Sequence, residues 1–109
     1  MKMCEGIKIV ADTLDEPELL CQLAEEASEL STAALKLRRA ITKINPTPKS
    51  EEECRDNLAE ELADVSLCLD VLGIDTTDRA LMLTMVKTVN RKCQRWVKRL
   101  EEVHGTPDV

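Results

Sequence analysis

Between Ser50 and Gly73 every local signal points to one long helix, and that segment limits what the rest of the chain can become. Ser50, with Glu53 three residues on, forms a capping box, and Glu51 and Glu52 suit the positive end of a helix dipole. Apolar residues then recur at helical spacing, at Cys54, Leu58, Leu62, Val65, Cys68, Leu69 and Leu72. Gly73 is a natural stop, because helices commonly end on a residue free to turn left-handed. The pattern predicts a helix from about Glu51 to Leu72.

A longer pattern precedes it. Asp15 can cap, Pro17 falls in the first turn where its missing N–H is harmless, and Glu16 and Glu18 favour that end. Leu19, Leu20, Leu23, Ala27, Leu30, Ala34, Leu37 and Ile41 form its apolar stripe. Asn45-Pro46-Thr47-Pro48 then breaks the helix and makes a loop. A third helix is predicted from near Thr76 or Thr77, with Asp78 in its first turn. Its stripe is Leu81, Met82, Met85, Val89, Cys93, Trp96, Leu100 and Val103; Gly105 ends it, and residues 105–109 read as a frayed tail. Ile7-Lys8-Ile9-Val10 alternates like a short strand, but a lone strand has no partner, so residues 1–14 read as a short leading helix.

Composition agrees. Three Gly and four Pro leave little turn chemistry for a many-stranded sheet. Phe and Tyr are absent and Trp96 is the sole aromatic, so Leu, Val, Ile, Ala, Met and Cys must fill the core. A length of 109 residues suits one domain, 1–109, near the small end for a self-sufficient core. The expected fold is therefore all-α: a helical bundle of three long helices plus a short N-terminal one. Three broad apolar faces in so short a chain invite completion by dimerisation.

Charge and cysteine usage exclude several functions. A net charge of −6 argues against nucleic acid as the main partner. Five scattered cysteines without a Cys-x-x-Cys pair, and one histidine, His104, do not make the usual zinc ligand sets. An odd number of thiols with no secretory signal fits a reduced, cytoplasmic protein, and no apolar stretch approaches the roughly 20 residues of a membrane span. Locally the charges segregate: Glu51 to Asp64 carries seven acids and one base, whereas Arg79 to Arg99 carries seven bases and no acid. Complementary solvated faces give that pattern, and so does a site for a metal and a phosphate chain.

Two acidic pairs stand out. Residues three apart on a helix project together, so Glu26 pairs with Glu29 and Glu61 with Asp64. Projected at about 100° per residue, Glu61 falls inside the arc of Leu58, Leu62, Val65 and Cys68, with Asp64 at its edge. Glu26 sits at the shoulder of its own stripe, beside Leu23 and Leu30, with Glu29 just outside. An ionised carboxylate at an interhelix seam needs a counter-charge. Arg or Lys from the third helix would give a structural ion-pair network. A hard cation is the other answer, and all-oxygen ligands select Mg²⁺, with Mn²⁺ as a possible substitute. Downstream, Lys87, Asn90, Arg91 and Gln94 form a row at i, i+3, i+4 and i+7, either a solvated basic face or a phosphate-binding one.

Glu25-Glu26-Ala27-Ser28-Glu29-Leu30 and Glu60-Glu61-Leu62-Ala63-Asp64-Val65 together resemble the E-x-x-E … E-x-x-D signature of the MazG-like all-α nucleotide pyrophosphohydrolases. That superfamily includes dimeric dUTPases and phosphoribosyl-ATP pyrophosphohydrolases. Leu72-Gly73-Ile74-Asp75 and Lys87-Thr88-Val89-Asn90-Arg91 are similar to the family's third-helix region, and the likeness covers about residues 17 to 100. The resemblance implies that Glu26, Glu29, Glu61 and Asp64 ligate Mg²⁺ and serve catalysis, that Lys87, Asn90 and Arg91 hold substrate phosphates, and that the chain forms a homodimer or homotetramer. The implied reaction is hydrolysis of an NTP or dNTP to the monophosphate and pyrophosphate, by in-line attack of water. Narrower dUTPase-like or phosphoribosyl-ATP pyrophosphohydrolase-like specificity stays open, as does a non-catalytic homodimeric interaction module. Glu25 and Glu60 project away from the stripes and read as solvated. Two departures from the family pattern are the brief Thr42–Lys49 loop and the lack of base-stacking aromatics other than Trp96, whose stripe position suggests core packing.

Overall fold

The computed structural model describes residues 1–45, 48–74 and 78–105. Four helices follow one another: α1 (Met3–Thr13), α2 (Glu16–Thr42), α3 (Glu51–Leu72) and α4 (Arg79–His104). No strand occurs among the described residues, and Ile7–Val10 lies within α1. No helix of the described residues is long and apolar enough to cross a membrane. The chain divides into two compact units, Met1–Gly73 and Ile74–Val109.

Local chemistry sets the helix ends. Asp15 Oδ1 accepts from the Glu18 backbone N–H at 2.9 Å, with Pro17 in the first turn, so α2 starts where the sequence places it. In α3 the Ser50 hydroxyl accepts from the Glu53 N–H at 3.1 Å, while the Glu53 carboxylate accepts from the Ser50 N–H at 3.5 Å. Gly73 closes the helix at φ 72°, a left-handed conformation that a Cβ would strain. The α4 start differs from the expectation: Asp78 is the cap itself, its Oδ1 accepting from the Leu81 N–H at 2.9 Å, and the helix begins at Arg79. Thr76 and Thr77, and the Thr106–Val109 part of the tail, lie outside the described residues.

In the first unit α2 and α3 form a hairpin, and α1 rests against α3. A connection this short, from Lys43 to Ser50, joins the two long helices in antiparallel fashion. On α2 the residues withdrawn from solvent are Leu19, Leu23, Glu26, Leu30, Ala33, Leu37 and Ala40, at alternating spacings of four and three, with Lys36 beside them. The matching row on α3 is Cys54, Leu58, Glu61, Val65, Cys68 and Leu72. That is the repeat of two helices packing along a common seam. It rotates both faces away from the sequence reading: Leu20, Ile41 and Leu62 are about half exposed, at 47%, 48% and 50%. Among the described residues the buried apolar ones are Leu19, Ala33, Leu37, Cys54 and Val71.

The second unit contains α4, which has no buried residue. Its expected core stripe is exposed, Trp96 at 68% and Val103 at 75%. A single amphipathic helix cannot cover its own apolar face.

Candidate functional site

The seam between α2 and α3 carries carboxylates at positions where a hydrocarbon would be expected. Glu26 occupies the α2 row between Leu23 and Leu30; Glu61 occupies the α3 row between Leu58 and Val65. One turn along from each, Glu29 and Asp64 join them. One oxygen from each of Glu26, Glu29, Glu61 and Asp64 can be chosen so that all four lie within 4.8 Å of one another. Glu26, Glu61 and Asp64 are half-buried and Glu29 is exposed at the rim. The four acids singled out in the sequence thus converge. Glu25 and Glu60, one residue before each pair, point to solvent as expected.

The convergence is electrostatically unbalanced. Gln22 donates from Nε2 to Glu26 Oε1 at 2.8 Å, but Glu26 Oε2 and Glu61 Oε2 are buried with no hydrogen-bond partner. The exposed pairs Lys8–Asp12 and Arg55–Glu51, each four residues apart on one helix, do not touch the quartet. Burial pushes the Glu26 carboxyl above the usual carboxylate range, and the neighbouring Glu29 and Asp64 charges push the same way against the Gln22 hydrogen bond. Cys68, on the same seam, has its thiol pushed up by burial and by the Glu26 and Asp64 charges. That keeps it protonated and a poor nucleophile. Carboxylate oxygens at this spacing could hold a positive ion. With four carboxylates and no nitrogen or thiolate donor, a hard oxygen-seeking cation fits best.

An open cleft of about 220 Å³ adjoins the quartet, lined by Ser28, Glu29, Thr32, Ala33, Lys36, Asn57 and Glu61. Lys36 and Asn57 escaped the sequence reading. Their spacing carries the signal: Lys36 lies two helical turns beyond Glu29, and Asn57 one turn before Glu61, on the same helix faces.

Lys87, Asn90 and Arg91 lie exposed on α4, in the second unit, where Gln94 Nε2 donates to Asn90 Oδ1 at 3.5 Å. They share one helix face, as their spacing indicates. Comparison with family models, with curated proteins and with solved structures gives no match to this chain. The class defined by fold and site is therefore a helical protein with a four-carboxylate seam.

Proposed function

We propose that this chain is a Mg²⁺-dependent nucleotide pyrophosphohydrolase of the MazG-like kind, converting an NTP or dNTP and water to the monophosphate and pyrophosphate. The observation that carries the reading is the quartet itself, two of whose buried oxygens have no partner. A metal-free fold has little use for such groups, because a carboxylate oxygen withdrawn from water without a partner is costly. Glu26, Glu29, Glu61 and Asp64 are the residues that would hold the ion. Bound there, Mg²⁺ supplies charge neutralisation for a polyphosphate and lowers the pKa of water.

The chain's own groups do the rest. Glu29 at the rim leaves an open side through which a phosphate chain can enter. Lys87, Asn90 and Arg91 are the phosphate-binding candidates of the second unit, with Arg91 suited to a bidentate grip. A homodimer or homotetramer is part of the same reading, because within its own unit α4 has an apolar face and no buried residue. The competing reading is a non-catalytic homodimeric module in which Arg or Lys neutralises the quartet; it predicts that neither stability nor activity depends on Mg²⁺.

The test is to incubate the purified protein with each NTP and dNTP in Mg²⁺ and to assay monophosphate and pyrophosphate. Release of both from at least one nucleotide, abolished by chelation, is expected. The nucleotide preferred distinguishes broad from dUTPase-like specificity; phosphoribosyl-ATP is assayed in parallel. No pyrophosphate from any of them sinks the enzyme reading.

A further inference from the structure

The cleft beside the quartet contains polar groups that the fold leaves unused. Lys36 is half-buried without an ion pair or hydrogen bond among the described residues, and so is the Asn57 amide. Glu61 lines the same cleft with its Oε2 buried and unpartnered. The lining is graded along the hairpin. Carboxylates stand at one end. Ser28 stands beside Glu29 at that end, Thr32 and Asn57 follow, and Lys36 lies farthest along α2, about 10 Å by helix rise from Glu29. The Thr32 hydroxyl makes only a long bond, 3.3 Å, to the Ser28 carbonyl, which it can exchange for a better acceptor.

Beyond the carboxylates, the polar side chains of the lining can all donate: two hydroxyls, an amide NH₂ and an ammonium, with the Ala33 methyl among them. A donor-lined trough with a cation receptor at one end and a fixed positive charge at the other matches an acceptor-only, multiply charged chain. It does not match a nucleobase, which needs a flat apolar or aromatic wall, and none of the lining residues is aromatic. We propose that this cleft seats the phosphate chain of the substrate, and that Lys36 and Asn57 bind the part released as pyrophosphate. The proposal rests on the pyrophosphohydrolase reading and places a phosphate-binding lysine in the same compact unit as the carboxylates.

The probe is inorganic pyrophosphate with Mg²⁺, titrated calorimetrically into wild type, Lys36→Ala, Lys36→Arg, Asn57→Ala and Glu61→Gln. Loss of a charge-assisted contact is expected to weaken binding about ten- to a hundredfold in Lys36→Ala, with partial recovery in Lys36→Arg and a smaller loss in Asn57→Ala. Wild-type affinity in Lys36→Ala, with binding lost in Glu61→Gln, overturns the Lys36 assignment and leaves the quartet reading standing. Undiminished binding in Glu61→Gln overturns both. Should Lys36→Ala fail to fold, lysine labelling of the wild-type protein decides: Mg²⁺–pyrophosphate must protect Lys36 from acylation, and unchanged labelling refutes the proposal.

Discussion

Glu26 is where the protein's dependence on pH and on metal meet. Its folded carboxyl holds a proton to higher pH than the same group does in the unfolded chain, chiefly because of burial. The folded state therefore binds more protons across the window from the ordinary value of 4.5 up to the raised one, and stability falls as pH rises through that window. Above it the penalty is fully present unless a cation relieves it. Glu26→Gln is thus expected to melt higher than wild type at pH 7 in chelator, with the difference vanishing below pH 4. Added Mg²⁺ should reverse the order, since a ligand of the native state alone stabilises it. Equal melting of the two proteins in chelator at pH 7 contradicts this. Glu61→Gln should fold yet lose about a hundredfold or more of its turnover, because even outer-sphere partners of a metal are worth ten- to a hundredfold. Full activity in that variant means that the ligands are misassigned.

At the scale of the helix, stability is set by the ends and chemistry by the face. Ser50→Ala removes the oxygen that accepts the Glu53 N–H and should cost about 1 kcal/mol in urea unfolding. Gly73→Ala forces a Cβ into a left-handed turn at φ 72° and should cost about 1–2 kcal/mol. A loss near zero in either shows that the end is held by something else. The ends were legible in the sequence because capping is local: Ser50, Glu53 and Gly73 act within one turn of themselves. The exact faces were not. Counting hydrophobicity around α3 favours Leu62 as a core residue, yet it is half exposed while Glu61 takes the seam position. The choice is made by α2, whose own four-and-three repeat sets the register of packing, and no single-helix projection contains that information. The same limit hid Lys36 and Asn57, which matter only once Glu29 and Glu61 share a cleft.

For the whole molecule the balance of buried and exposed surface matters most. The helices and the acidic pairs could be read from spacing, whereas the burial expected of the third apolar stripe is not found within the α4 unit. Met85 and Val89 of that stripe are exposed at 43% and 66%. At about 25 cal/mol per Å² of apolar surface, covering that face is a sizeable driving force, and a second copy is the cover proposed here. Light scattering should then give a mass that is a multiple of 12.2 kDa, with Val89→Asp shifting the protein towards monomer. Trp96 emission should move to shorter wavelength on assembly. A monomer at every concentration contradicts an oligomer formed through α4.

The most direct test of the central claim is Mn²⁺ binding followed by electron paramagnetic resonance, in which the bound ion disappears from the free-ion signal. The four-carboxylate seam should take up Mn²⁺ saturably and in competition with Mg²⁺, and Glu61→Gln should abolish the uptake. An undiminished free-ion signal with wild-type protein, or equal uptake by Glu61→Gln, contradicts a metal centre at Glu26, Glu29, Glu61 and Asp64.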